Sequence, residues 1–405
     1  MSTIIPIGPF HPLQDEPANF LLTVEGEKVI AIEANMGYIH KGHELLGQSR
    51  TYDQIVIQAE RICGICSVTH TVCFCHAVEN LLGIEVPKRA GYIRTLLGEL
   101  ERLHSHLLWV GLAGHFLGYN TVFMWAWKYR EPVLDAFEAL TGNRQNASIM
   151  KPGGVRRDLD EKHFPFVLST VATVREQTKM LLDAVVNDPV LHSRTKNVGV
   201  LTHEAALNWC VVGPTARASG VDTDVRRDEP YGAYGEVEWK VIVLKDGDVF
   251  TKAAVRLLEI FESIKIIEQC IKQFPKGPIL NEITHVPVGE GVGRYEAPRG
   301  EDIHYIRSNG TNMPERWKVR APSFVNIPSF HASCIGGTIS DVAITLASCD
   351  PCYSCTERMA AVAPNTKKVL YTGADLVRMG QEKTREIAKQ LGRKPDLDLK
   401  LDINK

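Results

Sequence analysis

The sequence is poor in the features that mark membrane-spanning, secreted or nucleic-acid-binding chains. No run reaches the roughly 18 uninterrupted apolar residues that a spanning helix needs. The best candidate, Leu107 to Leu117, is too short and holds His115. The first residues, MSTIIPIGPFHP, lack the basic-then-apolar order of a secretory leader and carry prolines early, so the expected location is the cytoplasm, with docking on membrane partners. Formal net charge is only −2, which supplies no overall pull toward nucleic acid or anionic lipid. Cysteine is also scarce: ten in 405 residues cannot make a disulfide scaffold. In a reducing compartment, close cysteine pairs are more often metal ligands or redox groups. There is no internal repeat and no low-complexity tract.

What is present reads as a mainly helical chain with small β elements, class α+β. Phe20 to Asn35 alternates about Glu25-Gly26-Glu27 and predicts a β-hairpin. Met36 to Ser49 predicts a loop entering a short helix, and Tyr52 to Arg61 a helix that delivers the chain into RICGIC. Ser67 to Leu82 carries helical spacing and stops at Gly83. Pro87 to Leu117 and Thr121 to Leu140 predict long helices, and Lys162 to Asn187 and Val249 to Phe274 are amphipathic. Glu236 to Leu244 predicts a strand, Gly291 to Val319 a small antiparallel sheet, and Thr338 to Ala347 a helix leading into DPCYSC. Beyond Arg358 a helical run (Gly373 to Leu391) precedes a charged end.

Four cysteines form two Cys-x-x-Cys pairs, Cys63/Cys66 and Cys352/Cys355. Thiolates are soft, charged donors, suited to zinc, iron–sulfur clusters or soft transition metals. Zinc ribbons set their pairs about 15–20 residues apart, whereas most of this chain lies between the two pairs. Such a site needs the whole fold to assemble it, which suits a buried catalytic centre better than a local staple. Spacing alone still leaves zinc, a cluster or separate redox dithiols open. Gly64 permits close backbone approach, and Asp350-Pro351 supplies a carboxylate and a rigid entry to the second pair.

Taken with their flanks, these motifs resemble those of nickel–iron hydrogenase large subunits. RICGICSVTH (Arg61 to His70) is similar to that family's first nickel motif, and DPCYSCTER (Asp350 to Arg358) to its last. GPFHP, GYIHKGHE, GELERLHSHLLW, GGVRRD and EAPRGE resemble segments of its energy-converting, membrane-associated branch, which is related to a core subunit of respiratory complex I. The resemblance runs from about residue 6 to 358.

It implies that Cys63, Cys66, Cys352 and Cys355 ligate nickel, with Cys66 and Cys355 bridging to an iron that carries carbon monoxide and cyanide. It implies reversible cleavage of H2 into protons and electrons, with Cys352 as the thiolate that takes the proton. Arg299 matches the arginine over the open metal position, Asp350 the carboxylate beside it, and Glu16 the proton-gate glutamate. Glu44 matches an acid that supports a magnesium or iron site in relatives with a histidine after the last cysteine; here Arg358 stands in that place. His104 and His106, with Glu101 and Arg102, suit either a proton network or a hydrogen-bonded core. Cys73, Cys75, Cys210, Cys270, Cys334 and Cys349 receive no ligand role, and this chain has no iron–sulfur motif.

The resemblance further implies an iron–sulfur small subunit with a [4Fe–4S] cluster, a ferredoxin-like subunit, integral-membrane subunits, a maturation chaperone, and an endopeptidase that cuts Arg358–Met359. The expected organisation is one domain over 1–358 and a removable extension over 359–405. Two rival readings are a complex I-like quinone-site subunit without hydrogenase activity and a zinc-stabilised scaffold.

Overall fold

A computed structural model of the chain describes residues 1–12, 14–356, 361–363, 365–366 and 368–393. Strands β1 (Ser2–Ile7), β2 (Asn19–Glu25) and β3 (Lys28–Asn35) form an antiparallel sheet in that order. Next come α1 (His43–Gly47), α2 (Tyr52–Ala59), α3 (Ser67–Leu82), α4 (Lys88–Phe116), α5 (Asn120–Thr141) and α6 (Phe164–Asn187). Short helices and loops lead to α7 (Val249–Lys272) and then to an antiparallel sheet of β4 (Val288–Ala297), β5 (Gly300–Asn309) and β6 (Pro314–Arg320). The chain continues into α8 (Ile339–Ala347) and, in the tail, α9 (Gly373–Gln390). The class is α+β, as expected.

The long helix α4 is the axis of the molecule, packed by α5 and α7 and buried nearly all round. A helix buried this completely must pair its charged residues. Arg94 meets Glu79 of α3 at 2.7 Å, and Arg102 donates to the carbonyls of Glu296 and Ala297 at 2.6 and 3.1 Å. The second contact ties α4 to the end of β4, immediately before Arg299. On the other side of that sheet's strand β4, α3 lies unusually close. A side chain at Gly291 or Gly293 would place its Cβ 2.1 Å from the carbonyl oxygen of Ala77 or of Cys73, so only glycine admits the helix.

Two of the apolar cores border the cysteine motifs. The larger holds α3, α4, α5 and α7 and includes Cys63, Cys66, Cys352 and Cys355. The smaller joins the N-terminal sheet (Phe20, Leu22, Val24) to Phe330, Leu346, Cys349 and Tyr353 near the second cysteine pair. The first strands of the chain therefore cover its last motif.

The predicted strand at Glu236 to Leu244 does not form. That stretch is irregular and runs along α7, where Lys240 N donates to Glu262 and Glu238 N to Gln269. Its apolar alternation has no neighbouring strand to pair with, so side chains of α7 satisfy its backbone instead. Strand β1 and the short helices between Pro189 and Asp228 lie outside the sequence reading. The Arg358–Met359 junction falls outside the described residues.

Candidate metal centre

The first cysteine pair sits in the turn between α2 and α3. Lys41 Nζ donates to the carbonyls of Arg61 and Ile62 at 3.2 and 3.0 Å, fixing the approach. Cys66 is the N-cap of α3 and makes no capping bond of its own. The free amides of that first turn go instead to Glu101 of α4, which accepts from Val68 N at 2.6 Å and Thr69 N at 3.0 Å. Burial pushes the Glu101 carboxyl up to about 7, against the pull of these bonds. The end of a helix that carries the sulfur of Cys66 also favours negative charge there.

The second pair follows α8. Asp350 adopts φ 56°, a left-handed turn that aspartate tolerates better than most residues and that swings Cys352 inward. Ser323 Oγ accepts from Cys352 N at 2.9 Å, and Glu16 Oε2 accepts from Ser354 N at 2.9 Å. Cys355 lies on a single-turn helix, Tyr353–Thr356.

The four thiols converge in the core and all are buried. Cys63 and Cys66 have sulfurs 3.7 Å apart, Cys352 and Cys355 2.8 Å, and the sulfurs of Cys63, Cys66 and Cys355 lie within 4.8 Å of one another. A metal–sulfur bond of about 2.3 Å sets tetrahedral sulfurs about 3.8 Å apart, a spacing that Cys63 and Cys66 meet and that the closer sulfurs of Cys352 and Cys355 would reach by moving apart on a soft metal. Arg299 spans the site. Its Nη1 is 3.0 Å from Cys66 Sγ, its Nη2 2.9 Å from Asp350 Oδ1, and its Nε donates to Asp350 O at 2.8 Å. Burial works against the guanidinium charge, but Asp350 and the surrounding sulfurs hold it firmly protonated. Burial likewise pushes the Cys355 thiol up, while donation from Cys352, Cys355 and Cys66 pulls Cys63 down.

Residues 41–112 match the family described as nickel-dependent hydrogenase. Residues 117–286 and 279–358 match that described as the respiratory-chain NADH dehydrogenase 49 Kd subunit. Among curated proteins, the membrane-bound hydrogenase subunit alpha of Pyrococcus furiosus is 41% identical over 95% of this chain and 93% of its own. The chain belongs to the nickel–iron hydrogenase large-subunit family. It falls in that family's membrane-complex branch, related to the complex I subunit. The carbon monoxide-induced hydrogenase of Rhodospirillum rubrum is 36% identical over 88% of this chain and all of its own. The fold is similar to a chain of the membrane-bound sulfane sulfur reductase, an archaeal respiratory membrane complex. There the TM-score is 0.84 and identity 32%, with 88% of this chain and 98% of that one covered. Relatives in the family are thus subunits of membrane complexes, while no described helix here is long and apolar enough to cross a membrane.

Within this large subunit, the structure gathers Cys63, Cys66, Cys352, Cys355, Arg299, Asp350 and Glu16 in one place. It treats the other candidates differently. Glu44 lines a small cavity with His43 and Cys355, but its carboxylate pairs with Lys318 and accepts from Val319 N. His106 Nε2 is 2.9 Å from Glu259, and burial holds the ring down at about 4. His104 stands 3.4 Å from Arg130, with burial and that charge pushing it well down. Neither ring is bonded to a ligand sulfur.

Sequence reasoning missed several neighbours. Ser323 and Asp15 carry no motif, and the RICGICSVTH motif gives no sign that its His70 lies 3.5 Å from the Cys355 sulfur. Asp15 reaches solvent next to Glu16. The surrounding protein, followed by the negative charge of Asp350, pushes its carboxyl up to about 6. Adjacency to Glu16 was the one signal that could have found it.

Proposed function

We propose that this chain is the catalytic subunit of a nickel–iron hydrogenase, carrying out H2 ⇌ 2 H⁺ + 2 e⁻. The observation that carries the reading is the convergence of two distant cysteine pairs beneath a buried Arg299–Asp350 pair. Cys63 and Cys352 would hold nickel, and Cys66 and Cys355 would hold nickel and an iron with carbon monoxide and cyanide ligands. When bound, that pair of metals supplies a soft, electron-rich position that takes up hydrogen and its electrons.

The protein's own part is electrostatic and geometric. Arg299 keeps a fixed positive charge over Cys66, and Asp350 holds its fork in one orientation. Cys352 holds a proton at its sulfur, and Glu16 is anchored by Ser354 N within the same turn, where its carboxyl can relay that proton outward. Asp15 next to it is a surface acceptor. The side chains of α3, α4 and the N-terminal sheet exclude bulk water.

Electrons must leave through a partner, because this chain has no further cluster motif. We assign that role to an iron–sulfur small subunit with a proximal [4Fe–4S] cluster and a ferredoxin-like subunit beyond it. The complex would sit on the cytoplasmic face of a membrane and couple to ion translocation through membrane subunits. Maturation would need a chaperone and an endopeptidase that leaves Arg358 as the last residue. The tail supports that reading: α9 exposes Met379 and Ile387 and packs on the short strand Val369–Tyr371.

Elemental analysis and infrared spectroscopy of the native complex test the proposal. Nickel with metal-bound CO and CN⁻ bands is expected, together with a subunit mass ending at Arg358. Zinc alone overturns it in favour of a scaffold. Absence of any metal leaves the quinone-site reading.

A further inference from the structure

Arg299 meets Cys66 Sγ at 3.0 Å and Asp350 at 2.9 and 2.8 Å, all through its guanidinium. The stem behind that group is long, so the place of the charge depends on where the backbone of residue 299 is held. The structure holds that backbone from two sides.

On the upstream side every polar atom of Glu296 is engaged. Its N donates to Tyr231 Oη at 3.0 Å, and its carboxylate accepts from Arg217 Nη1 at 2.8 Å and Val225 N at 3.2 Å. Its carbonyl is the one that Arg102 reaches. Pro298 then adds a fixed φ directly before Arg299.

On the other side stands Gly213, the first residue of a short helix, Gly213–Ala218. A Cβ there would lie 2.4 Å from Arg299 O and from Gly300 Cα, and 2.6 Å from Arg299 C. The contact is mutual, since a Cβ on Gly300 would lie 2.7 Å from Gly213 N. All of these atoms are backbone, which cannot swing aside as the end of a side chain does. The left-handed φ values, +70° and +127°, favour glycine at both positions as well.

Asn326 ties this contact to the second cysteine pair. It is fully buried at the end of the short helix Pro322–Asn326. Val212 N can only donate, so the amide atom 3.0 Å from it is Oδ1. Nδ2 is then the atom 3.3 Å from Val212 O and, more weakly, 3.5 Å from Arg299 O. The same helical turn carries Ser323, whose Oγ accepts from Cys352 N.

We propose that Gly213 and Asn326 are positioning residues that set where the Arg299 guanidinium stands over the metal centre. Gly213 acts as a steric gauge, and Asn326 holds that gauge against the segment on which Cys352 is mounted. The inference rests on the hydrogenase reading, in which Arg299 faces the open metal position. Misplacing such a group by about 1 Å can cost about 10²-fold in rate.

The test uses the native complex and reads H2/D⁺ exchange per bound nickel. Gly213→Ala is expected to keep nickel, since it touches no ligand, and to lose about 10²-fold in exchange. Asn326→Ala should fall in the same direction by less. Gly83→Ala is the control: its φ is +61° and nothing lies within 4 Å of the added Cβ, so it carries backbone strain without a contact. It should exchange like the wild type. The deciding readout is a double-mutant cycle, because residues that act through a shared partner are not additive. In an Arg299→Lys background, Gly213→Ala should cause almost no further loss, whereas a merely structural role would lower exchange again by the same factor.

Unchanged exchange in Gly213→Ala overturns the proposal, as does an undiminished effect in the Arg299→Lys background. So does an Arg299→Lys complex as active as the wild type, or loss of nickel from both Gly213→Ala and Asn326→Ala. A wild-type complex without nickel fails the hydrogenase reading itself, and so separates the two failures.

Discussion

The two cysteine pairs are alike in sequence and unlike in how the fold holds them. Cys63 and Cys66 stand between two helices, and the backbone around them is tied by the first part of the chain: Lys41, Glu101, and Gln145, whose carbonyl accepts from Ser67 Oγ at 2.6 Å, while Arg299 reaches the Cys66 sulfur from far along the sequence. Cys352 and Cys355 have a single helical turn of their own and are held by residues 16, 299 and 323. One half-site is thus part of a core that forms with its own neighbourhood. The other is docked, and exists only when both ends of the chain have met.

Hydrogen exchange on protein prepared without nickel can break this comparison most sharply. Opening energies range from near zero to the full stability of roughly 5–15 kcal/mol. Amides of α3 are expected to exchange at least about a thousandfold more slowly than those of residues 352–356. Equal protection would mean that the two halves are one cooperative unit.

Glu16→Gln acts on the docked half alone. The amide still accepts from Ser354 N but cannot carry a proton, so nickel content should hold while H2/D⁺ exchange falls by about 10²–10⁴-fold. A variant with unchanged exchange would move the proton route elsewhere.

Glu101→Leu acts on the core half. It leaves the amides of Val68 and Thr69 without an acceptor, an expected loss of about 1–3 kcal/mol in thermal or denaturant unfolding, accompanied by lower nickel content. Stability equal to wild type would show that another group caps α3.

Asp15→Asn has the smallest expected effect. Because the Asp15 carboxyl is raised to about 6, it accepts protons only above that pH. The wild-type exchange rate should therefore rise through pH 6, and the variant should lack that inflection. An inflection that persists would assign it to a different group.

Much of this was legible beforehand where local rules and tertiary packing agree. Ser67 to Leu82, stopped by a left-handed Gly83, is such a case, since its periodicity and cap both name one helix. The EVEWKVIV stretch misled because alternation reports one wet and one dry face, and a loop lying along α7 has both without a strand partner. In the site, the cysteines and Arg299 came from motifs that resemble a family. Ser323 did not, because its meaning lies in accepting from the backbone amide of Cys352, a contact that only the packing of the two segments creates. Glu101 was visible as an acid on a helix, but its acceptor role follows only from the crossing of α3 and α4.

The wide separation of the two half-sites also has a meaning in time. At roughly 5–20 residues per second, a ribosome makes Cys352 some 15–60 s after Cys66. Once Glu101 and Gln145 have been made, the nascent chain offers a folded two-sulfur bite, the ligand pair that zinc would readily occupy. An assembly line for this subunit has to keep the early thiols unspent until the late ones arrive. Slowing translation between the two motifs should raise the fraction of mis-metallated product.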